Sequence, residues 1–428
     1  MFLNPDYRAG LEIARRLGAA TLLGLWYAGQ VYTLTACAYL LSSAGVFLIF
    51  YGRIRHFFIP QPAPPTDIRT RFTLLIPAHN EARLLPQLLA SIGRLDYPAA
   101  AFSAVVIADN CTDHTARLAR LAGVTCLERS TAAPSDKAQA LRYAVGALAL
   151  QAPFSATVIC IIDADCTLEP DYLTELDKLY ARPGAAPVVQ SFRSVSNTFA
   201  SDVTVLDAAA EALRQWVLSG TRKLLGLDTF LFGLGCSMRE AIFVDLMALP
   251  PGSLAEDKQW KVYLTENGLK VAYCPTARLS YEVVSDAGAF QKQRQRWLAG
   301  YYDSFKTYGL RMLRRGLRHA NPAQLDLAGD LLQPPRSVLL LAAGFFGLMA
   351  GWFGQFALVG PGVWLGLIVA FGGYGALGLW LINARPRHYL LLFSGFRLIG
   401  VVVKAIGTIV LGRGVAAWDA TRQENQPG

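Results

Sequence analysis

The longest apolar feature of the chain runs from Leu17 to Tyr51 without a charged residue. As one helix it would extend about 52 Å, well beyond a hydrocarbon core of roughly 30 Å. Two readings fit. Either residues 17–29 lie in the interface and about 32–51 span, or the stretch folds into a tight hairpin; the single span is preferred. Both leave Arg53, Arg55 and His56 on the cytoplasmic side, where basic residues accumulate. Pro60, Pro62, Pro64 and Pro65 form a stiff linker. Beyond it, apolar runs of strand length alternate with helical periodicity. Strands are expected at Phe72–Ile76, Ala104–Ala108, Val124–Leu127 and Thr157–Ile162, and helices at Glu81–Leu95, Thr112–Ala122 and Ser135–Leu150. Alternation of this kind implies an α/β fold with a mostly parallel sheet and right-handed crossovers.

Past residue 290 the pattern changes. Residues 291–318 carry eight basic side chains and one acidic, interleaved with Trp297, Leu298, Tyr301, Phe305, Tyr308, Leu310 and Leu313. This suits amphipathic helices lying on an anionic membrane face; a solvated surface helix is the plainer reading. Pro334-Pro335 breaks the chain. Ser337–Val359 and Val363–Asn383 are spanning candidates, and Arg385, Arg387 and His388 return that end to the cytoplasm. Tyr389–Leu411 is apolar but holds Arg397 and Lys404, so it reads either as a span with a buried polar face or as an interfacial helix. The organisation is therefore an N-terminal membrane segment (1–59), a cytoplasmic domain (60–290), interface helices (291–336), a C-terminal membrane region (337–412) and a tail (413–428).

Composition sharpens this picture. Hydrophobic residues make up 53% of the 428 and charged residues 17%, with a net charge of +9. The basic residues sit beside apolar spans, which favours anionic lipid over nucleic acid. Seven cysteines occur without a C-x-x-C pair, against a disulfide framework or zinc site. The apolar stretch from Leu17 is too long for a cleavable signal peptide.

Candidate chemistry falls at the ends of the predicted strands, where open α/β sheets bind ligands. The central run Thr157–Ile162 leads into Asp163-Ala164-Asp165. Side chains alternate along a strand, so Asp163 and Asp165 project to the same side, and two hard oxygen donors suit a divalent cation that also holds phosphate. The first strand ends in Pro77-Ala78-His79-Asn80-Glu81, the second in Asp109-Asn110-Cys111-Thr112-Asp113-His114. Further on come Phe232-Gly233-Leu234-Gly235-Cys236, Glu256-Asp257, and Gln293-Arg294-Gln295-Arg296-Trp297. Structural roles compete at each: helix capping for Asp109, a first-turn carboxylate for Glu81 and for Glu256-Asp257, a surface lysine for Lys137, lipid anchoring for Arg296 and Trp297.

An Asp after the second strand, an Asp-x-Asp, a Glu-Asp and a QxxRW box, in that order, resemble the family-2 glycosyltransferases. The likeness is to the membrane branch that includes cellulose, chitin, hyaluronan and poly-N-acetylglucosamine synthases and ceramide glucosyltransferases, and it covers about residues 70–300. It implies a GT-A fold, a UDP-sugar donor and Mg²⁺ or Mn²⁺. By this resemblance Pro77, Glu81, Asp109, Lys137, Asp163, Asp165 and Arg296 would bind the donor, with Asp165 and Asp163 at the metal. Asp257 would be the base of an inverting transfer and Glu256 its orienting neighbour. Gly233, Gly235, Cys236, Gln293 and Trp297 would line the acceptor site. Trp418, Thr421 and Arg422 faintly resemble a C-terminal box of some members. The expected activity is extension of a polysaccharide or oligosaccharide at the inner (plasma) membrane, with single-sugar transfer to a lipid as the alternative. Extension with so few spans calls for an oligomer or an export partner.

Overall fold

The computed structural model describes residues 5–60, 70–132, 136–149, 157–182, 184–251, 255–285 and 287–395. The prolines at 62–65, and the segment holding Arg397, Lys404, Trp418, Thr421 and Arg422, lie outside them. The chain forms two compact units, Met1–Gly45 with Gln333–Ala376, and Val46–Leu332 with Leu377–Gly428.

In the first unit, helix α1 (Pro5–Ile49) is continuous. Neither a hairpin nor an interface–span break forms, because no Pro or turn signal interrupts the run after Pro5. Within α1, Ala20–Ile49 is long and apolar enough to cross a membrane. Short helix α2 (Tyr51–Phe57) follows and belongs to the second unit.

The second unit is built on an eight-stranded sheet in the order β3-β2-β1-β4-β7-β6-β8-β5. The strands are β1 (Arg71–Ala78), β2 (Phe102–Asp109), β3 (Thr125–Arg129), β4 (Thr157–Ile161), β5 (Cys166–Leu168), β6 (Val188–Val195), β7 (Cys236–Arg239) and β8 (Val271–Tyr281). Strands β3, β2, β1 and β4 are mutually parallel, as the alternating pattern predicts. The other half is mixed: β7 runs antiparallel to β4 and β6, β5 antiparallel to β8, and β6 parallel to β8.

The intervening helices are α3 (Leu85–Ile92), α4 (Thr115–Leu121), α5 (Lys137–Ala149), α6 (Tyr172–Tyr180), α7 (Asp202–Ala212), α8 (Gly220–Leu224), α9 (Glu240–Met247) and α10 (Glu256–Glu266). Strand alternation sorts the core into two layers. Leu74 and Ile76 pack with Leu85 and Leu88 of α3 and Tyr172, Leu173 and Leu176 of α6. Leu75, Ile107 and Ile161 pack with Leu141 of α5, Phe243 of α9 and Trp260 of α10.

Two helices begin later than their periodicity suggests. The Glu81 N–H donates to Thr115 Oγ1 (2.8 Å) and the Ala82 N–H to Asp113 Oδ2 (3.0 Å), which holds 81–84 as a turn before α3. Asp113 Oδ1 also accepts the Thr115 N–H (2.9 Å), so α4 starts at Thr115, not Thr112. Strand β4 ends at Ile161, so Asp163 and Asp165 sit in a turn closed by the Cys166 N–H on the Asp163 carbonyl (3.1 Å). Strand alternation therefore does not set their direction.

The basic stretch forms α11 (Ala287–Ser304), a π-helical turn and α12 (Leu310–Arg318). Part of the apolar face of α12 packs inside the second unit, while Leu310 and Leu317 stay exposed. Met312 is fully buried against Val262 of α10 and Leu327, Ala328 and Leu331 of α13 (Pro322–Leu331). Arg315 and Arg311 pair with Glu266 at 2.7 and 3.3 Å.

Back in the first unit, α14 (Arg336–Trp352) stops short of Val359. The loop after it is pinned by α1: Trp26 Nε1 and Gln30 Nε2 donate to the Phe356 carbonyl (2.7 and 3.2 Å), and Gln30 Oε1 accepts the Leu358 N–H (2.9 Å). Helix α15 (Pro361–Leu381) is the second helix long and apolar enough to span. Among the described residues there are thus two candidate spans, or three if α13 and α14 count as one broken span.

Asn321 caps α13, accepting the Ala323 and Gln324 N–H groups at 3.1 Å each. Asn321→Ala is expected to cost about 1 kcal/mol, read as a lower denaturation midpoint of the detergent-solubilised protein.

Candidate active site

The carboxyl ends of β1, β2 and β3 are stitched by two asparagines with left-handed backbone, Asn80 (φ 55°) and Asn110 (φ 48°). Short amide side chains tolerate this conformation because they bond locally. Asn80 Oδ1 accepts the Thr112 N–H (2.7 Å) and the Asp113 N–H (3.3 Å), and Asn110 Oδ1 accepts the Thr131 N–H (2.8 Å). His79 Nδ1 lies 2.7 Å from the Asp109 carbonyl. Pro77 is buried in β1 beyond its last pairing with β4, where its missing N–H leaves no gap in that ladder. Asp109 is fully buried; Arg129 Nη1 donates to its Oδ1 at 2.5 Å, and Arg129 Nη2 reaches Gln139. Its carboxylate is thus engaged by Arg129, while Glu81 stays half-buried at the rim.

Beside this edge, residues from well-separated stretches meet at Lys137, the first residue of α5. Its ammonium donates to Asp163 Oδ1 and, at 2.6 Å, to the Gly233 carbonyl. A Cβ built on Gly233 would lie 3.7 Å from both Lys137 Nζ and Glu256 Oε1. Arg296 of α11 lies within electrostatic reach of Glu256 and Asp163. Burial works against the Lys137 charge, but its acidic neighbours, Asp163 first and then Glu256, together outweigh it and raise the ammonium above its ordinary value. Burial, then the neighbouring Asp257 carboxylate, pushes Glu256 up to about 7. Burial also raises Asp257, opposed chiefly by Lys258. Burial lowers Arg296, against the pull of Glu256 and Asp163.

The loop 229–235 closes this side. Gln190 of β6 clamps it: Nε2 donates to the Leu234 and Gly235 carbonyls (2.9 and 3.1 Å) and Oε1 accepts the Phe232 N–H (2.9 Å). Gly235 has φ 68°, and a Cβ there would stand 2.8 Å from Leu279, so only glycine fits. Cys236 corrects the expectation of an acceptor contact. It is fully buried, paired in the sheet with Ile161 and Gln190, and burial pushes its thiol up to about 12. Gln293 Oε1 is buried without a hydrogen-bond partner, and Trp297 is 42% exposed.

A second polar group was not legible in the sequence. Glu211 accepts Arg193 Nη2 (2.8 Å) and Gln215 Nε2 (2.8 Å) and pairs with Arg214. The Arg193 guanidinium lies 4.0 Å from the Phe232 ring centroid. These cations hold the buried Glu211 carboxyl below its ordinary value despite desolvation. The sole signal was an arginine in an otherwise buried strand, Val188–Val195.

Among the described residues no three His, Cys, Asp or Glu side chains gather as a cation cage. Asp163 and Asp165 still fit a hard cation that takes most of its ligands from phosphate and water, which needs only one or two carboxylates.

A half-parallel, half-mixed sheet with carboxylates and a lysine gathered at its strand ends defines a GT-A-type fold. Residues 69–300 match the profile of the family described as glycosyltransferase like family 2, and the chain belongs to that family. A beta-monoglucosyldiacylglycerol synthase from Nostoc is 26% identical over 253 residues, 55% of this chain and 50% of the relative. A probable glycosyltransferase of Bacillus subtilis, YdaM, is 23% identical over 283 residues, 61% and 64% of the two chains. The chain spans about half the length of the Nostoc relative. A mannosyltransferase of Pyrobaculum calidifontis, solved with GDP-Man and Mn²⁺, aligns with a TM-score of 0.50 at 19% identity, over 88% of this chain and 99% of that one. That likeness is one of fold.

The raised Glu256 carboxyl has a sign for stability. The fold favours its protonated form, so the native state holds more protons than the unfolded one between its ordinary 4.5 and about 7. Stability from this group is therefore present at the acid end and declines as pH rises through that window. Glu256→Gln is expected to flatten the melting temperature across it, measured by thermal scans from pH 4.5 to 8.

Proposed function

We propose that this chain is a membrane-anchored, inverting glycosyltransferase that moves a sugar from a UDP-sugar to an acceptor at the bilayer, with its sheet unit in the cytoplasm at the inner membrane. The observation that carries the reading is the convergence of Asp163, Gly233 and Glu256 on the Lys137 ammonium. In this reading Pro77, Glu81 and the Asp109-fixed Arg129 border the base. Lys137 and Arg296 neutralise the diphosphate; Arg296 does so as a planar fork. Asp165, with Asp163, would hold Mg²⁺ or Mn²⁺, and the bound cation supplies further charge neutralisation on the departing diphosphate.

Asp257 takes the acceptor hydroxyl proton as that oxygen attacks the anomeric carbon from the face opposite the diphosphate. The new bond forms as the old one to phosphate breaks, so the configuration inverts. Glu256 orients the site. Gly233 and Gly235 let backbone approach the acceptor closely, Gln293 offers it an unengaged carbonyl, and Trp297 an apolar face.

Two acceptor classes compete. The QxxRW box favours chain extension. Two or three candidate spans are few for a polymer channel, and the likeness to beta-monoglucosyldiacylglycerol synthases supports a single sugar placed on a lipid; we favour the lipid reading. The test is nucleotide release from UDP-glucose, UDP-galactose, UDP-N-acetylglucosamine and GDP-mannose, with diacylglycerol vesicles and labelled product sized by chromatography. A single-sugar lipid is expected; a ladder of longer products returns the reading to extension. Asp257→Asn and Asp165→Ala should each lower nucleotide release by about 10²–10⁴-fold while the protein still inserts. Wild-type release from both variants would remove the assignment.

A further inference from the structure

Helix α13 lies after the family-matched residues and carries Asp326 and Asp330 four apart, hence on one helical face. Both carboxylates are engaged. Arg222 Nη1 donates to Asp326 Oδ1 at 3.0 Å, and its Nη2 to the other oxygen. Asp330 Oδ2 accepts Lys258 Nζ at 2.9 Å. Three residues further along α10, Lys261 Nζ donates to Asp228 Oδ2 at 3.0 Å. Between the ion pairs, Leu327, Ala328 and Leu331 bury themselves against Val262 and Met312. The contact is therefore a specific dock of α13 onto α10, the helix that begins with Glu256-Asp257.

Lys258 meets that dock and the candidate base at once. Its backbone N–H donates to Asp257 Oδ1 at 2.9 Å, while its side chain is held by Asp330. We propose that Lys258, anchored by Asp330 of α13, is a positioning residue that orients and charge-compensates the Asp257 carboxylate. This rests on the reading of Asp257 as the base and deepens it, by making a helix outside the matched family region part of the catalytic architecture.

Asp257 is also faced by its neighbour Glu256, by Arg193 of β6 and by Lys137 of α5, and Arg214 faces Lys258. Of the cations, Lys258 opposes the burial of Asp257 most strongly. Losing the Lys258 charge leaves its backbone N–H in place, so Lys258→Met isolates the ammonium.

The experiment uses the full chain in detergent and has two arms. In the first, the pH profile of kcat is recorded with whichever screened nucleotide sugar releases most nucleotide. Lys258→Met should move the acid limb upward by about one pH unit or more, with less than a two-fold change in donor KM. Asp330→Asn should move it the same way by less, and Asp330→Glu should restore it. Asp326→Asn, which breaks the adjacent ion pair without touching Lys258, should keep the wild-type limb. The second arm needs no turnover: the melting-temperature difference between Asp257 and Asp257→Asn proteins is followed with pH, with and without Lys258→Met. Its break-point should rise in the Lys258→Met background. An unmoved limb and break-point overturn the proposal, as does a shift in Asp326→Asn equal to that in Asp330→Asn. Full transfer by Asp257→Asn alone, with the break-point still moving, overturns the base assignment and leaves the Lys258 coupling intact.

Discussion

The site depends on one cation placed among carboxylates. Lys137 reaches from the start of α5 to Asp163 after β4 and to the Gly233 carbonyl before β7, with Glu256 of α10 close by. Without it, carboxylates from two distant stretches would face each other in a partly desolvated cleft, where like charges cannot all ionise. Even with it, burial and then the adjacent Asp257 carboxylate push the Glu256 carboxyl up to about 7. An anionic diphosphate entering such a cleft would need further positive charge, and Arg296 interacts electrostatically with Glu256 and Asp163. On the proposed reading, a nucleotide sugar with a divalent metal would bring such cations.

Rigidity around that cation comes from the sheet and from buried ion pairs. Strands β1, β2 and β4 are covered on both faces, so their ends are fixed to within the packing of the core. The loop 229–235 has no such ladder of its own. It is held by the amide of Gln190, by Arg193 stacked on Phe232 and by the Glu211 network beneath. A π-helical turn at Leu213–Ser219 continues α7 and carries Arg214 and Gln215 into that network. Buried ion pairs of this kind add little net stability compared with apolar packing; their value here is in fixing geometry where the chain must leave regular structure.

The unit that carries the candidate spans solves a different problem with the same currency. The loop between α14 and α15 exposes backbone groups within an apolar helical unit, and each left unpaired in hydrocarbon would cost several kcal/mol. Gln30, itself 1% exposed, donates to one carbonyl and accepts one N–H of that loop. A lone glutamine in the longest apolar run of the chain is thereby accounted for.

What the sequence by itself determined were the properties carried by local periodicity and spacing. The β-α alternation, the parallel half of the sheet, the strand-end positions of Pro77, Asp109 and Asp163, and the apolar helices were legible because each depends on a few neighbouring residues. Tertiary structure decided everything that needed a partner from elsewhere in the chain. Thr115 and Asp113 delayed α3 by capturing the N–H groups of residues 81–82, Asp113 delayed α4 by accepting the Thr115 N–H, and β4 stopped before the carboxylates its alternation was expected to place. Cys236 went into the core, and Met312 of α12 packed against α13. The pairings of Asp109 with Arg129, Glu211 with Arg193 and Lys258 with Asp330 join residues 20, 18 and 72 positions apart. A charge announces that it must be compensated; which distant residue compensates it is set only once the sheet order brings the two together.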